Sequence, residues 1–265
     1  MRCGWSGFTH PCHGAPKPGE PANKPRRKKD DASQTFIIHH SAFIIQKRCP
    51  MIEETLYQQY LSALLAGDRR PCEESVQHLL EKNMAPELLY TDLFQKSLYR
   101  IGELWEQNRI SVAVEHLATA ITEHLLSLIY PRLLAGRQPN NRRAVISCSV
   151  NEYHQVGARM VSDIMESHGW DVWFLGANTP LNDMMNLIQE KKPDVLGLSI
   201  SIYFNMASMV KVIETVRSHY RDMDIIVGGQ AFRWGGEERI KPFAKTHVIS
   251  NPAELIRTLG PEKCG

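Results

Sequence analysis

The sequence predicts a four-helix bundle at about 51–135, followed by a doubly wound domain of five parallel strands at about 140–262. Two observations lead to this fold class. Apolar residues recur at helical spacing throughout the first part, and in the second part short apolar runs alternate with amphipathic segments. Strands that alternate with helices form a parallel sheet covered by helices on both faces. A polar stretch at 136–143 separates the two parts and is predicted to be a linker.

The four helices of the first part are recognised by their apolar residues and their end signals. Gly67-Asp68 ends the first helix, and the second ends before Pro86. The apolar positions are, helix by helix, Leu56, Tyr60, Leu64 and Leu65; Val76, Leu79 and Leu80; Leu88, Leu89, Leu93, Leu98, Ile101 and Leu104; and Val114, Leu117, Ala118, Ile121, Leu125, Leu128 and Ile129. Short connections between such helices are typical of a bundle.

The second part contains five predicted strands with helices between them. The strands are placed at 144–150, 171–175, 195–200, 225–227 and 247–249, and the helices at 156–167, 181–191, 206–220 and from Pro252. In open sheets of this kind, ligands bind beyond the carboxyl ends of the strands, where the strand order reverses. Functional residues are therefore sought directly after the strands.

Composition excludes several classes of protein. The 31 Lys and Arg residues nearly balance the 29 Asp and Glu residues, which argues against nucleic acid as a direct partner. No apolar run approaches the roughly 20 residues that cross a bilayer, so no membrane association is expected. The six cysteines form no Cys-x-x-Cys pair, which is typical of a reduced cytoplasmic protein.

Residues 1–50 are not expected to form a folded domain. They are rich in Gly, Pro, Lys and Arg and have no helical or strand periodicity. They are interpreted as a disordered tail or as a mis-assigned start, in which case translation begins at Met51. The basic run at 26–29 can contact phosphates, although such runs are more often solvated tails.

The loop after the first predicted strand carries the strongest chemical signal. It contains Glu152, His154 and Gly157. A neutral imidazole is a good ligand for a transition metal, and an acidic neighbour can hold its other ring N–H. Gly157 leaves room for a bulky group. The alternative is an ordinary histidine in a surface loop.

Two further strand ends are small and polar. Ser199 and Ser201 end the third strand, and Gly228 and Gly229 end the fourth. Hydroxyls and bare backbone at one sheet edge can line a slot for a long, partly polar ligand tail. The alternative is that they form strand-end turns, where Ser and Gly are common.

Together these segments resemble the cobalamin-binding domains of methionine synthase and corrinoid proteins, which carry Asp-x-His-x-x-Gly, then Ser-x-Leu, then Gly-Gly. Residues 158–198 and 202–227 separate the corresponding segments here, as in that family. The resemblance implies a flavodoxin-like fold that binds adenosyl- or methylcobalamin. It implies that His154 is the lower ligand of cobalt, and that Ser199, Ser201, Gly228 and Gly229 line the slot for the nucleotide tail. Glu152 stands in place of the family Asp, and Ser201 in place of Leu.

The helical part resembles the cap of cobalamin-dependent light-sensing regulators. Nine residues separate Trp105 from Glu115-His116, and in those regulators such side chains surround the upper ligand. The alternative is a helix-end core aromatic followed by an exposed helix turn. Some light sensors carry His directly after the Trp, whereas Glu106 occupies that position here.

The resemblance implies a cobalamin-binding sensor, responsive to light and without its own DNA-binding domain, that signals through a protein partner such as a transcription regulator. A homo-oligomer is compatible with that role. The main alternative is a corrinoid methyl carrier that serves separate methyltransferases. A more distant alternative is a flavodoxin-like domain without cobalt.

Overall fold

The computed structural model describes residues 51–259. The interpretation of residues 1–50 as a tail or mis-assigned start lies outside the described residues. The bundle consists of α1 (Glu54–Ala66), α2 (Arg69–Glu81), α3 (Pro86–Leu88), a π-helical segment (Leu89–Gln95), α4 (Lys96–Glu106) and α5 (Val112–Leu133). From α3 to α4 the chain forms one continuous helical rod, which corresponds to the predicted third helix.

Local sequence explains where these helices begin and end. Gly67 ends α1 in the left-handed conformation, with φ 76°, which glycine adopts at little cost. Pro86 opens α3, where its missing N–H would have had no helical partner. The Ser111 hydroxyl caps α5 by accepting a hydrogen bond from the Val114 N–H.

The π-helical segment was not expected from the sequence. It buries four large side chains completely: Leu89, Tyr90, Leu93 and Phe94. Single π turns inside helices are rare and often occur at functional sites. Periodicity predicted the helix correctly, but it does not distinguish π-helical from α-helical pitch.

The second part is a five-stranded parallel sheet in the order β2-β1-β3-β4-β5. The strands are β1 (Arg143–Cys148), β2 (Asp171–Gly176), β3 (Val195–Ser199), β4 (Asp224–Gly228) and β5 (Thr246–Ile249). The helices are α6 (Val156–Ser167), α7 (Leu181–Lys191), α8 (Met206–His219), α9 (Glu237–Ile240) and α10 (Pro252–Leu259). The predicted fold class is confirmed, although the short α9 and the 3₁₀ turns Tyr203–Asn205 and Gln230–Trp234 were not predicted.

Helix α5 differs from its prediction in two ways. Its length and composition are those of a helix that could cross a membrane, although the sequence analysis found no apolar run of that length. In the structure its buried face instead packs in the bundle and against α6. Leu117 and Leu128, which were expected on the apolar face, are about half exposed.

The bundle rests on one face of the sheet through α6. A continuous apolar cluster runs from the bundle into β1 and α6, and includes Phe94, Ile129, Ile146 and Ile164. Polar contacts border it: the Tyr90 hydroxyl donates to Asp163 at 2.9 Å, and the Tyr130 hydroxyl donates to Glu166 at 2.6 Å. The helix that follows the Glu152–Gly157 loop is thus the one that holds the bundle.

Candidate functional site

The predicted site residues of the sheet meet at its carboxyl edge. The strand order places β1 next to β3, so the loops that follow these strands diverge at the point where ligands bind in such sheets. The Ser149 N–H donates to Ser199 O at 2.9 Å, and the Ile200 N–H donates to Gly228 O at 3.0 Å. The three segments singled out in the sequence are therefore neighbours.

Glu152 is the centre of this arrangement. Its side chain is fully buried and accepts hydrogen bonds from two loops. Oε1 accepts from the backbone N–H groups of Tyr153 and His154, each at 3.0 Å, and lies 2.5 Å from His154 Nδ1. Oε2 accepts from the Ser201 N–H at 2.9 Å, the Ile202 N–H at 3.2 Å and Asn205 Nδ2 at 3.1 Å.

These donors keep the Glu152 carboxylate ionised. Burial by itself raises the pKa of Glu152, but the hydrogen bonds from the His154 ring and from the backbone of His154, Ser201 and Ile202 outweigh it and lower the pKa to about 2. The longer glutamate, in place of the family aspartate, still reaches the histidine. The predicted carboxylate–histidine contact is therefore present.

His154 is held from one side and open on the other. Nδ1 faces Glu152, and no described residue forms a hydrogen bond with Nε2. The side chain is 49% exposed. The hydrogen bond with Glu152 raises the pKa of His154, against the opposing effect of burial. An imidazole oriented through one nitrogen by a buried carboxylate, with its other nitrogen free, has the arrangement typical of a metal ligand.

Two asparagines complete the loop and were missed in the sequence. Asn205 Nδ2 donates to Asn151 O as well as to Glu152. The Asn178 side chain accepts from the Asn151 N–H and donates to the Tyr153 hydroxyl. Both asparagines follow other strands, so no local pattern around Glu152 could have indicated them.

The predicted glycines fall into two groups. A side chain at Gly157 would meet open space, as expected for a position that a bulky group approaches. A Cβ at Gly228 would lie 2.8 Å from Ile249 O, and one at Gly229 only 2.1 Å from Ile200 O. The protein's own backbone therefore requires glycine at these two positions, and their role in lining a slot stays a prediction.

The site edge also presents an unpaired hydroxyl and an apolar rim. Ser149 is fully buried, and its Oγ has no hydrogen-bond partner among residues 51–259. Large apolar side chains on the loops after β1, β3 and β4 are exposed: Tyr153, Ile202, Tyr203, Phe204 and Trp234. Clustered exposed apolar side chains mark a binding surface. The run Ile202-Tyr203-Phe204 directly after a strand was the available sequence signal.

The helical bundle is called the cap below. The residues predicted to surround the upper ligand lie at one end of it. Trp105 is in the last turn of α4 and is 47% exposed, which argues against a core aromatic. Glu115, in the first turns of α5, accepts from the Thr119 hydroxyl at 3.1 Å and lies 2.5 Å from His116 Nδ1. Its charge contributes to the raised pKa of His154.

Across the described part of the chain, no three His, Cys, Asp or Glu side chains are grouped to hold a bare metal ion. His154 is the residue that the sequence predicted as a metal ligand.

Comparison with known families identifies a cofactor for this site. The model of the B12 binding domain matches residues 142–248, and a second B12 binding domain model matches residues 56–130. This chain belongs to the cobalamin-binding family. Its cofactor is cobalamin, and the residues present fit it: a free imidazole nitrogen, open space at Gly157, an unpaired buried hydroxyl and an apolar rim.

The relatives include transcriptional repressors and corrinoid proteins. The chain is 29% identical to the HTH-type transcriptional repressor CarA of Myxococcus xanthus over 125 residues, 47% of this chain and 43% of CarA. It is 26% identical to the repressor CarH of the same organism over 209 residues, 78% of this chain and 68% of CarH. It is 20% identical to dimethylamine corrinoid protein 2 of Methanosarcina acetivorans over 180 residues, 67% of this chain and 83% of that protein. The chain thus spans less than half of CarA.

A solved structure shares the fold. The monomethylamine corrinoid protein of Methanosarcina barkeri matches with a TM-score of 0.68 and 13% identity, covering 78% of this chain and 98% of that one. The match supports the combination of helical bundle and parallel sheet described above.

Proposed function

We propose that this chain is a cobalamin-dependent sensor in which His154 is the lower ligand of cobalt. The observation that carries the proposal is the pairing of His154 with Glu152. The fully buried carboxylate holds Nδ1 and leaves Nε2 directed away from that contact and free of protein partners among the described residues. Ionised Glu152 also increases the basicity of the imidazole, which strengthens its bond to a metal.

The cap supports a sensing role. Trp105 is half exposed at the end of α4, and the charge of Glu115 contributes to the raised pKa of His154. A large indole at this position limits the size of the group that fits on the upper face of the cofactor. The packing of the indole then depends on whether that space is filled. Bound cobalamin supplies a cobalt–carbon bond that light can break. A change in the group on the upper face would then alter how the cap packs.

The sensing role further requires an output. The repressors CarA and CarH are relatives, which supports a regulatory output through a transcription regulator. We propose that a change in cap packing is passed to such a partner, or to a second copy of this chain. The response to light is part of the same proposal.

The absorption spectrum of the purified protein with adenosyl- or methylcobalamin, in darkness and after green light, tests both parts. In the spectrum of the wild type, the cofactor's own base should be displaced from cobalt and a histidine nitrogen should be bound in its place. His154→Ala should lose most of its affinity or lack the nitrogen ligand. His168→Ala, an exposed histidine at the far end of α6, is the matched control and should behave as wild type. A His154→Ala protein with wild-type affinity and spectrum would exclude His154 as the ligand.

A corrinoid methyl carrier is the second candidate, because the chain aligns with 83% of a dimethylamine corrinoid protein. A carrier must leave the upper face open to a methyltransferase. Small-angle scattering before and after green light separates the two functions. A changed profile supports the sensor, whereas an unchanged profile with rapid methyl transfer to an added methyltransferase supports the carrier.

A further inference from the structure

Gln155, directly after His154, is held from two directions. Its Nε2 donates to Glu123 Oε1 on α5 of the cap at 2.9 Å. Its Oε1 lies so near the end of β2 that a Cβ at Gly176 would be 3.0 Å away. Its carbonyl accepts the Arg159 N–H at 2.9 Å, which anchors the start of α6. The side chain therefore links the cap to the end of β2, and the backbone of the same residue joins the start of α6.

The neighbouring His154 is held by the sheet instead. Its backbone N–H donates to Glu152 and its carbonyl accepts from Cys148 Sγ at 3.6 Å. Of these two consecutive residues, His154 is thus bonded to β1 and its own loop, whereas Gln155 is also bonded to the cap. A displacement of α5 relative to the sheet strains the peptide between them.

We propose that Glu123 is a positioning residue. Through its hydrogen bond with Gln155, it couples the position of the cap to the conformation of the loop that carries His154. The contact with Glu123 is separate from the two other bonds between bundle and α6, those of Tyr90 with Asp163 and Tyr130 with Glu166. Those two bonds lie farther along α6, so they hold the cap when the Glu123 contact is broken. Loss of Glu123 should therefore loosen the loop while the bundle stays attached.

Hydrogen exchange of the cobalamin-free protein tests the coupling. In Glu123→Ala, backbone amides at 149–157 should exchange about tenfold faster, the order expected when one hydrogen bond to a charged group is lost. Glu123→Gln keeps an acceptor for Gln155 and should restore wild-type exchange. Tyr130→Phe removes a bond of the same kind farther from His154, and it should leave exchange at 149–157 unchanged.

Gln155→Ala removes the same hydrogen bond from the loop side and should increase exchange at 149–157 as much as Glu123→Ala does. With two variants, the test remains possible if one of them folds poorly. Unchanged exchange in both variants, or equal acceleration in Tyr130→Phe, would overturn the coupling.

The consequence for the cofactor rests on the proposed function. Cobalamin should dissociate faster from Glu123→Ala than from the wild type. In the electron paramagnetic resonance spectrum of the Co(II) form, a smaller fraction of the bound cobalamin should have a nitrogen ligand. If exchange at 149–157 rises but His154→Ala leaves the spectrum unchanged, the coupling stands and the ligand assignment fails. If the ligand assignment holds but exchange is unchanged, only the coupling fails.

Discussion

Alanine substitutions at Gly157 and Gly229 should have opposite effects on stability, although both glycines belong to the predicted site. Gly229 has φ 112°, a conformation that side chains avoid, and a Cβ there would lie 2.1 Å from Ile200 O. Non-bonded atoms attract only beyond about 3.5 Å, so the backbone must move. Backbone strain costs about 1–3 kcal/mol and overpacking about the same again. Gly229→Ala should therefore lose about 2–6 kcal/mol, a large part of the roughly 5–15 kcal/mol that stabilises a domain.

Gly157 is the counterpart in open space. Apart from its chain neighbours and the backbone of its own helix, no described heavy atom lies within 4 Å of a Cβ built there, and the residue is in the first turn of α6. Alanine should therefore stabilise the cobalamin-free protein by about 0.4–1 kcal/mol, because it restricts the unfolded chain. The added methyl group would occupy space that we assign to the cofactor, so cobalamin affinity should fall.

Urea unfolding of the cobalamin-free variants, followed by tryptophan fluorescence, measures the stability effects, and cobalamin titration measures binding. Stability of Gly229→Ala within about 1 kcal/mol of wild type would refute the steric argument. Wild-type cobalamin affinity in Gly157→Ala would show that the open space at α6 is not used by the cofactor.

Three further predictions concern the cap and its contact with α6. Tyr90→Phe removes the hydrogen bond to buried Asp163 and should lower the free energy of unfolding by about 2 kcal/mol in urea melts; no change would mean that the bond contributes nothing. Burial raises the pKa of Asp163, despite Arg159 and the hydrogen bond from Tyr90, so the native state holds its proton more tightly than the unfolded chain. Relative to Asp163→Asn, the wild type should lose stability as pH rises above about 4, the ordinary pKa of an aspartate, and parallel stability curves would contradict this sign. Trp105→Ala should reduce the discrimination between adenosyl- and methylcobalamin in binding titrations, and unchanged discrimination would place the indole away from the upper face.

Parts of the site followed from the order of residues alone. A strand that ends at Cys148 in a parallel sheet must deliver the following loop, with Glu152 and His154, to the carboxyl edge. The same reasoning brings Ser199 and Gly228 to that edge, because parallel strands all end on one side. Periodicity alone was enough for this step, since it distinguishes strands from helices without knowledge of contacts.

Other parts depended on which segments meet in space. The donors to Glu152 Oε2 lie about fifty residues downstream, and only the pairing of β1 with β3 brings them close. The glycine requirement at Gly229 likewise comes from tertiary packing, because the nearby atoms belong to Ile200 on another loop. The contact between Glu123 and Gln155 joins two parts of the chain that have no local pattern in common. Sequence periodicity records which face of an element is apolar, whereas a hydrogen bond between distant loops requires distances that only the folded chain defines.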